Sequence, residues 1–378
     1  MAAKPSPVTP DVLRWAVDED GRSLSELAEA LKVDVDTVDG WVSGDVTLTR
    51  GQVTDLSKVL QRPRALFFLP RPPEPATLPP SFRHPPGEDR VVSATARRKV
   101  RQARRLQHAV SWALRKSSPL EVPRSTLDSD PEEAAEHARD WLEITDAEQA
   151  SWKDDRAALR AWREALEDRN VLVFVLEIGR DDVRGFSAWD DRAPLIVANL
   201  SGVSPAARSF TLAHELGHLV ARQDAACVEP REERLLGADL ERWCERFGAA
   251  LLMPQANIRQ LAAERRISAR AAILDDVRAA MRRFRVSARA AALRLIDMEY
   301  ATPALYKEVL GTFVSTPPPH DAKIVSPPRS VARLREYGPR TVRTVLTALP
   351  PRDALSALRI TVEDVRRMAN EVPGVPDF

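Results

Sequence analysis

Phe210-Thr211-Leu212-Ala213-His214-Glu215-Leu216-Gly217-His218-Leu219-Val220 is the stretch from which the rest of the chain can be read. It contains His-Glu-x-x-His. On a helix, residues four apart stand one above the other on the same face, so His214 and His218 can offer two imidazoles to one metal ion. Glu215 lies one step round the helix. It can reach a water at that metal but is poorly aimed to bind the metal beside both histidines. A catalytic zinc takes three protein ligands and leaves a fourth position open, and a nearby carboxylate can then act as general base. The pattern therefore predicts metal-assisted hydrolysis, usually of a peptide bond. The flanks Phe210, Leu212, Ala213, Leu216, Leu219 and Val220 predict a largely buried helix, in which two histidines and a glutamate must be satisfied by something. Gly217 costs helix stability and suits close approach of another segment.

Upstream of this helix, Val171 to Leu176 reads as a buried strand, Gly185 to Trp189 as a second and Pro194 to Asn199 as a third. Pro205 opens the metal helix. Helices are expected at 131–142 and 155–168. A helix, a small sheet and a His-Glu-x-x-His helix form the layout of a zincin-type metalloprotease. There an edge strand can hold substrate in extended form by main-chain pairing, which makes Gly185, Phe186 and Ser187 candidate substrate-binding residues.

The third ligand must come from outside the first helix. Asp224, Glu229, Glu232, Glu233, Asp239, Glu241 and Glu245 follow it. In a helix over 238–252 the apolar stripe is Leu240, Trp243, Cys244, Phe247 and Leu251. Glu241 sits at the edge of that stripe beside the small Gly248, and Glu245 lies about 40° further toward solvent. Geometry favours Glu241, with Glu245 the main competitor.

The run Arg208-Ser209-Phe210-Thr211-Leu212-Ala213-His214-Glu215-Leu216-Gly217-His218 resembles the signature of the ImmA/IrrE metallo-endopeptidases. That family follows it with Glu-x-x-Ala-Asn-x-Phe-Ala-Ala-x-Leu-Leu-Met-Pro. This chain has Glu241-Arg242-Trp243-Cys244-Glu245-Arg246-Phe247-Gly248-Ala249-Ala250-Leu251-Leu252-Met253-Pro254. The resemblance implies that His214, His218 and Glu241 bind Zn2+ and that Glu215 is the catalytic base. Cys244, Glu245 and Gly248 depart from the pattern beside the third ligand. Trp162 to Glu167 and Arg184-Gly185-Phe186-Ser187 also look like the long members of that family, which carry an XRE-type domain ahead of the protease. The implied substrate is a regulatory protein, a repressor or antitoxin-like factor possibly encoded nearby, whose cleavage relieves repression in a stress or mobile-element response. The oxyanion-stabilising group is not readable. Tyr300, Tyr306 and Tyr337 lie beyond the motif, and Arg208 or the metal could serve.

Residues 10–62 predict short helices between tight turns, with Ser23-Leu24-Ser25-Glu26 as a capping box. This is a helix-turn-helix pattern that resembles the XRE (lambda-repressor-like) domains, with Leu24, Leu27, Ala28, Leu31, Val38 and Trp41 in its core. DNA is thus a possible partner of residues 1–70. The charge argues against groove reading: eight basic residues face eleven acidic ones over 1–70, and the second helix carries Asp34, Asp36 and Asp39 with no Arg or Lys. The usual Trp-Glu-x-Gly is Trp41-Val42-Ser43-Gly44 here. Protein docking or dimerisation is the other reading.

The organisation expected is an α+β fold, mostly helical: a helix-turn-helix bundle over 1–70, a Pro-rich connection over 71–92, a zincin-like protease domain with a three-stranded sheet over 93–312, a Pro-rich linker over 313–328, and a helical segment over 329–378 whose function is not readable. Phe67, Phe68 and Leu69 are expected to dock on a neighbour. The basic helix over 93–116 is read either as contacting phosphates or as the solvated face of a packed helix. In the whole chain 56 basic residues nearly cancel 55 acidic ones. No long apolar run, no secretory signal and only two cysteines predict a cytoplasmic protein without a membrane partner. Cys227 or Cys244 reaching zinc would make a redox switch, but a free buried thiol is the commoner outcome. The remaining histidines, 84, 108, 137 and 320, read as unrelated to the metal.

Overall fold

The computed structural model describes residues 8–73, 93–179, 184–222, 230–313 and 327–376, with the backbone alone at 230–238. Helices α1 (Pro10–Asp20), α2 (Leu24–Leu31), α3 (Val35–Ser43) and α4 (Arg50–Val59) come first, followed by a 3-10 turn Arg64–Phe68 and α5 (Ala94–Ala113). Next come α6 (Pro131–Leu142), α7 (Asp146–Ser151), α8 (Asp155–Asp168), β1 (Leu172–Leu176), β2 (Gly185–Ala188), β3 (Leu195–Asn199) and α9 (Pro205–Ala221). The chain continues with α10 (Pro230–Leu252), α11 (Gln255–Arg265), α12 (Leu274–Phe284), α13 (Ala288–Asp297), α14 (Pro303–Thr312), α15 (Arg329–Tyr337), α16 (Pro339–Ala348), α17 (Pro351–Leu358) and α18 (Val362–Ala369). The fold is α+β and mostly helical. Among the described residues no helix is long and apolar enough to cross a membrane.

Two units divide the described chain, one containing 8–73 and 93–102, the other containing 103–376. Residues 93–102, expected at the start of the protease domain, thus group with the N-terminal unit. In that unit Leu13, Ala16, Leu27, Val38, Trp41, Leu56 and Phe67 form one core. Both capping boxes, Ser23 with Glu26 and Thr49 with Gln52, are made. Asp20 is fully buried and takes Arg22, Arg98 and Arg101 as ion-pair partners. Two of the arginines at the start of α5 are therefore spent inside the unit. Of the three residues expected to dock after Pro63, only Phe67 is buried. Phe68 and Leu69 are 41% and 38% exposed, because the 3-10 turn aims one ring inward and the next outward.

In the second unit, β1 pairs with β3 in parallel and β2 with β3 antiparallel, giving the order β1-β3-β2. The central strand β3 is buried at every position. Helix α9 lies under β2 and β3 and packs on α8 and α10. Its first turn is set by Ser204, whose side chain accepts from the Ala207 N–H, with Pro205 at the first position. Helix α10 begins at Pro230, earlier than the sequence pattern places it. Its last carbonyls lose helical partners because Pro254 follows, and buried side chains replace them. Arg139 donates to Leu251 O at 2.8 Å, Gln149 to Leu252 O at 2.8 Å, and Arg294 to Met253 O at 3.0 Å. Helices α15–α18 belong to this unit. Tyr337 is buried against Phe174 of β1, ring centroids 5.0 Å apart, and Arg163 donates to both Val173 O and Arg335 O.

Candidate metal centre

His214 and His218 stand one turn apart on α9, and Glu241 reaches them from α10. The two Nε2 atoms are 3.1 Å apart. Glu241 Oε2 is 3.1 Å from His214 Nε2, and Oε1 is 3.3 Å from His218 Nε2. A tetrahedral zinc with bonds of about 2.0–2.1 Å has edges of about 3.3 Å between ligand atoms, so these three donors have the spacing of one face of such a site. Two neutral imidazoles and one carboxylate are also a donor set that suits zinc. Among the described residues this is the one group able to hold a metal. Glu245 is exposed, one turn away on the outer face of α10, as is Asp239.

Two glycines bring the helices together. A Cβ at Gly217 would stand 3.3 Å from both Cα and Cβ of Cys244 and 3.1 Å from the Phe247 ring. A Cβ at Gly248 would stand 3.2 Å from His214 N and 3.4 Å from His214 Cα. Each helix thus places a glycine against the other at the level of the ligands, which puts the Glu241 carboxylate within reach of both rings. Gly217 was readable as a close-approach position, and Gly248 is its counterpart.

Glu215 is fully buried beside the ligands. Over it lies Gly185, where a Cβ would stand 2.5 Å from Thr211 Cγ2, 2.6 Å from Val197 O and 3.3 Å from Glu215 Oε1. Only glycine lets the outer strand β2 lie this close to α9. Phe186 and Ser187 are both buried. Those side chains are thus closed off, which leaves the backbone edge of β2, and at Ala188 the carbonyl already accepts from Gln107 Nε2.

Burial opposes charge at Glu241, but hydrogen bonds from His214 and His218 outweigh it and hold the carboxyl well below the usual carboxylate range. Burial also opposes charge on His218. Cys244, Glu241 and Glu215 outweigh it and raise that imidazole well above its ordinary value. Burial pushes the Cys244 thiol up, against the pull of His218, and Cys244 is no part of the three-ligand group. Cys227 and the candidates Asp224 and Glu229 lie outside the described residues, as do His84 and His320, while His108 and His137 are exposed. Glu232 and Glu233 fall where only the backbone is described. Tyr337 is buried on β1, and the Tyr306 hydroxyl accepts from Arg289. Arg208 donates to Val203 O.

Residues 166–295 match the family model of the M78 peptidases, described as the IrrE N-terminal-like domain. The match runs from the end of α8 to α13 and includes the whole sheet and all three candidate ligands. It points to a metallopeptidase of the IrrE/ImmA type and does not include the N-terminal unit. No curated protein matches the chain.

Proposed function

We propose that this chain is a zinc-dependent endopeptidase that cuts a regulatory protein of the repressor or antitoxin-like kind and so relieves repression. The observation that carries the reading is the convergence of His214 Nε2, His218 Nε2 and a Glu241 carboxylate at 3.1–3.3 Å, beside a buried Glu215. His214, His218 and Glu241 would hold the metal. When bound, zinc supplies Lewis acidity toward water and the peptide carbonyl. Glu215 takes the proton released as water attacks and passes it to the departing amine. The backbone edge of β2 pairs with the substrate and presents the scissile bond above α9. The fully buried positions of His214 and Glu215 exclude bulk water around the proton transfer.

The test is Glu215→Gln with the regulator encoded beside this gene as substrate. The variant is expected to retain one metal per chain by elemental analysis and to lose at least about a hundredfold in cleavage rate, the scale of a general base. Cleavage at the wild-type rate would overturn the mechanism. His218→Ala should instead lose the metal.

A further inference from the structure

Helices α17 and α18 repeat the layout of α2 and α3. Helix α2 ends at Lys32 with φ 57° and ψ 44°, and Asp34 then caps α3. Helix α17 ends at Arg359 with φ 54° and ψ 50°, and Thr361 then caps α18. The apolar positions coincide when the two are laid together from these turns. Leu27, Leu31, Val33, Val38 and Trp41 correspond to Ala354, Leu358, Ile360, Val365 and Met368, at identical spacing. In the C-terminal pair all five are buried. As α3 rests on α1, α18 rests on α15.

Spacing alone is a packing rule, since α12 and α13 share it through Ala280, Phe284, Val286, Ala291 and Arg294. What separates the three pairs is the outward face of the second helix. In α13 the equivalent positions are Arg289, Ala292, Leu293 and Ile296, three of them apolar, and the Arg289 guanidinium donates to the Tyr306 hydroxyl. In α3 that face offers Asp36, Asp39, Gly40 and Ser43. In α18 the same positions are Glu363, Arg366, Arg367 and Asn370, all exposed. They lie at i, i+3, i+4 and i+7, one stripe of the helix. Arginine bidentate to guanine and asparagine to adenine are the pairings that read base edges in a major groove. Arg352 on α17 is exposed and adds a cation for phosphate. Residues 327–376 hold nine arginines, no lysine and five carboxylates. Arg340 is spent on Glu167 O and Asp168, and Arg333 on Leu358 O and Glu336; within the α18 stripe Arg367 pairs with Glu363 at 3.4 Å, both side chains more than half exposed, and Arg366 is exposed.

We infer that α17–α18 is a binding site for duplex DNA, with α18 as the groove-reading helix. The acidic α3 does not carry this role. The site shares no residue with the metal centre and does not depend on the peptidase reading.

The test is fluorescence anisotropy of the full chain with a labelled random-sequence duplex of about 30 base pairs, at about 50 and 200 mM salt. Wild type is expected to bind, and to weaken at least about tenfold over that salt range. R352A/R366A/R367A should lose at least about tenfold at low salt, whereas R352K/R366K/R367K, which keeps the charge, should retain binding. Circular dichroism checks folding. If the alanine variant is unfolded, R352Q/R366Q/R367Q decides in its place. The inference is overturned if wild type fails to bind the duplex at low salt, if the charge-removing variant binds as wild type does, or if a single strand of the same length is bound more tightly than the duplex.

Discussion

Gly248 carries no chemistry, yet the spacing of the three candidate ligands depends on it. A methyl group there meets the His214 backbone at 3.2 Å, and a helix backbone gives way less easily than a side chain. Gly248→Ala is therefore expected to push α10 off α9 and carry Glu241 with it. The expected cost is about 1–3 kcal/mol of stability, the range of overpacked cores, together with weaker zinc binding in a chelator competition. Unchanged zinc affinity would show that the helices can part without moving the carboxylate. The titration of His218 leads to a second expectation at this scale. Its folded-state pKa lies above the unfolded value. In metal-free protein its stabilisation is thus full below the unfolded pKa and is lost as pH rises through the folded one. Metal binding must displace that proton, so the two dependences run opposite ways. As pH rises above the ordinary imidazole value of about 6.5, the metal-free protein should lose melting temperature while zinc affinity by calorimetry rises. A zinc affinity flat across that rise would count against a protonated His218.

At the scale of elements, α10 is held at both functional points. Its middle supplies Glu241, and its end is fixed by three buried donors. Among the described residues Arg294 is the largest fully buried side chain, with Met253 O on one side and both Glu132 oxygens on the other. Arg294→Met would leave Glu132 and the Met253 carbonyl without a charged donor. A loss of about 3–5 kcal/mol in denaturant unfolding is expected, as for breaking a buried pair from one side. A loss below about 1 kcal/mol would mean water replaces the guanidinium. This network could not be read from sequence. Arg139, Gln149 and Arg294 look like surface residues of amphipathic helices, and their burial follows only from where α10 ends. The metal helix was legible because it needs only local spacing, and Glu241 because an apolar stripe shows which side of α10 turns inward. The buried side chains of Phe186 and Ser187 were not, since a four-residue strand does not say which of its faces is covered.

At the scale of the whole molecule, the helices after the Pro-rich stretch at 313–328 are part of the protease unit. Tyr337 is fully buried on Phe174, and Arg163 ties β1 and α15 through their carbonyls. Tyr337→Ala is expected to cost about 3–5 kcal/mol, the range for deleting a buried aromatic ring. It should lower the melting transition of the protease unit itself. A separate early transition, with the main one unmoved, would show α15–α18 to be an independent domain. Charge is also divided along the chain. The acidic residues of α2–α3 and the arginines of α17–α18 give similar helix frameworks opposite outward faces.

By itself the sequence determined the local facts: two imidazoles one helical turn apart, the capped short helices of the N-terminal unit, the strands before the metal helix, and the mostly helical α+β class. These follow from periodicity and from residues near one another in the chain. The tertiary structure decided what depends on distant segments meeting. It set the 3.1–3.3 Å convergence of Glu241 on both histidines, the reciprocal glycine contacts that permit it, and the outward face of α18. A side chain's role there rests on what packs against it, and burial is a property of the folded whole that no local pattern contains.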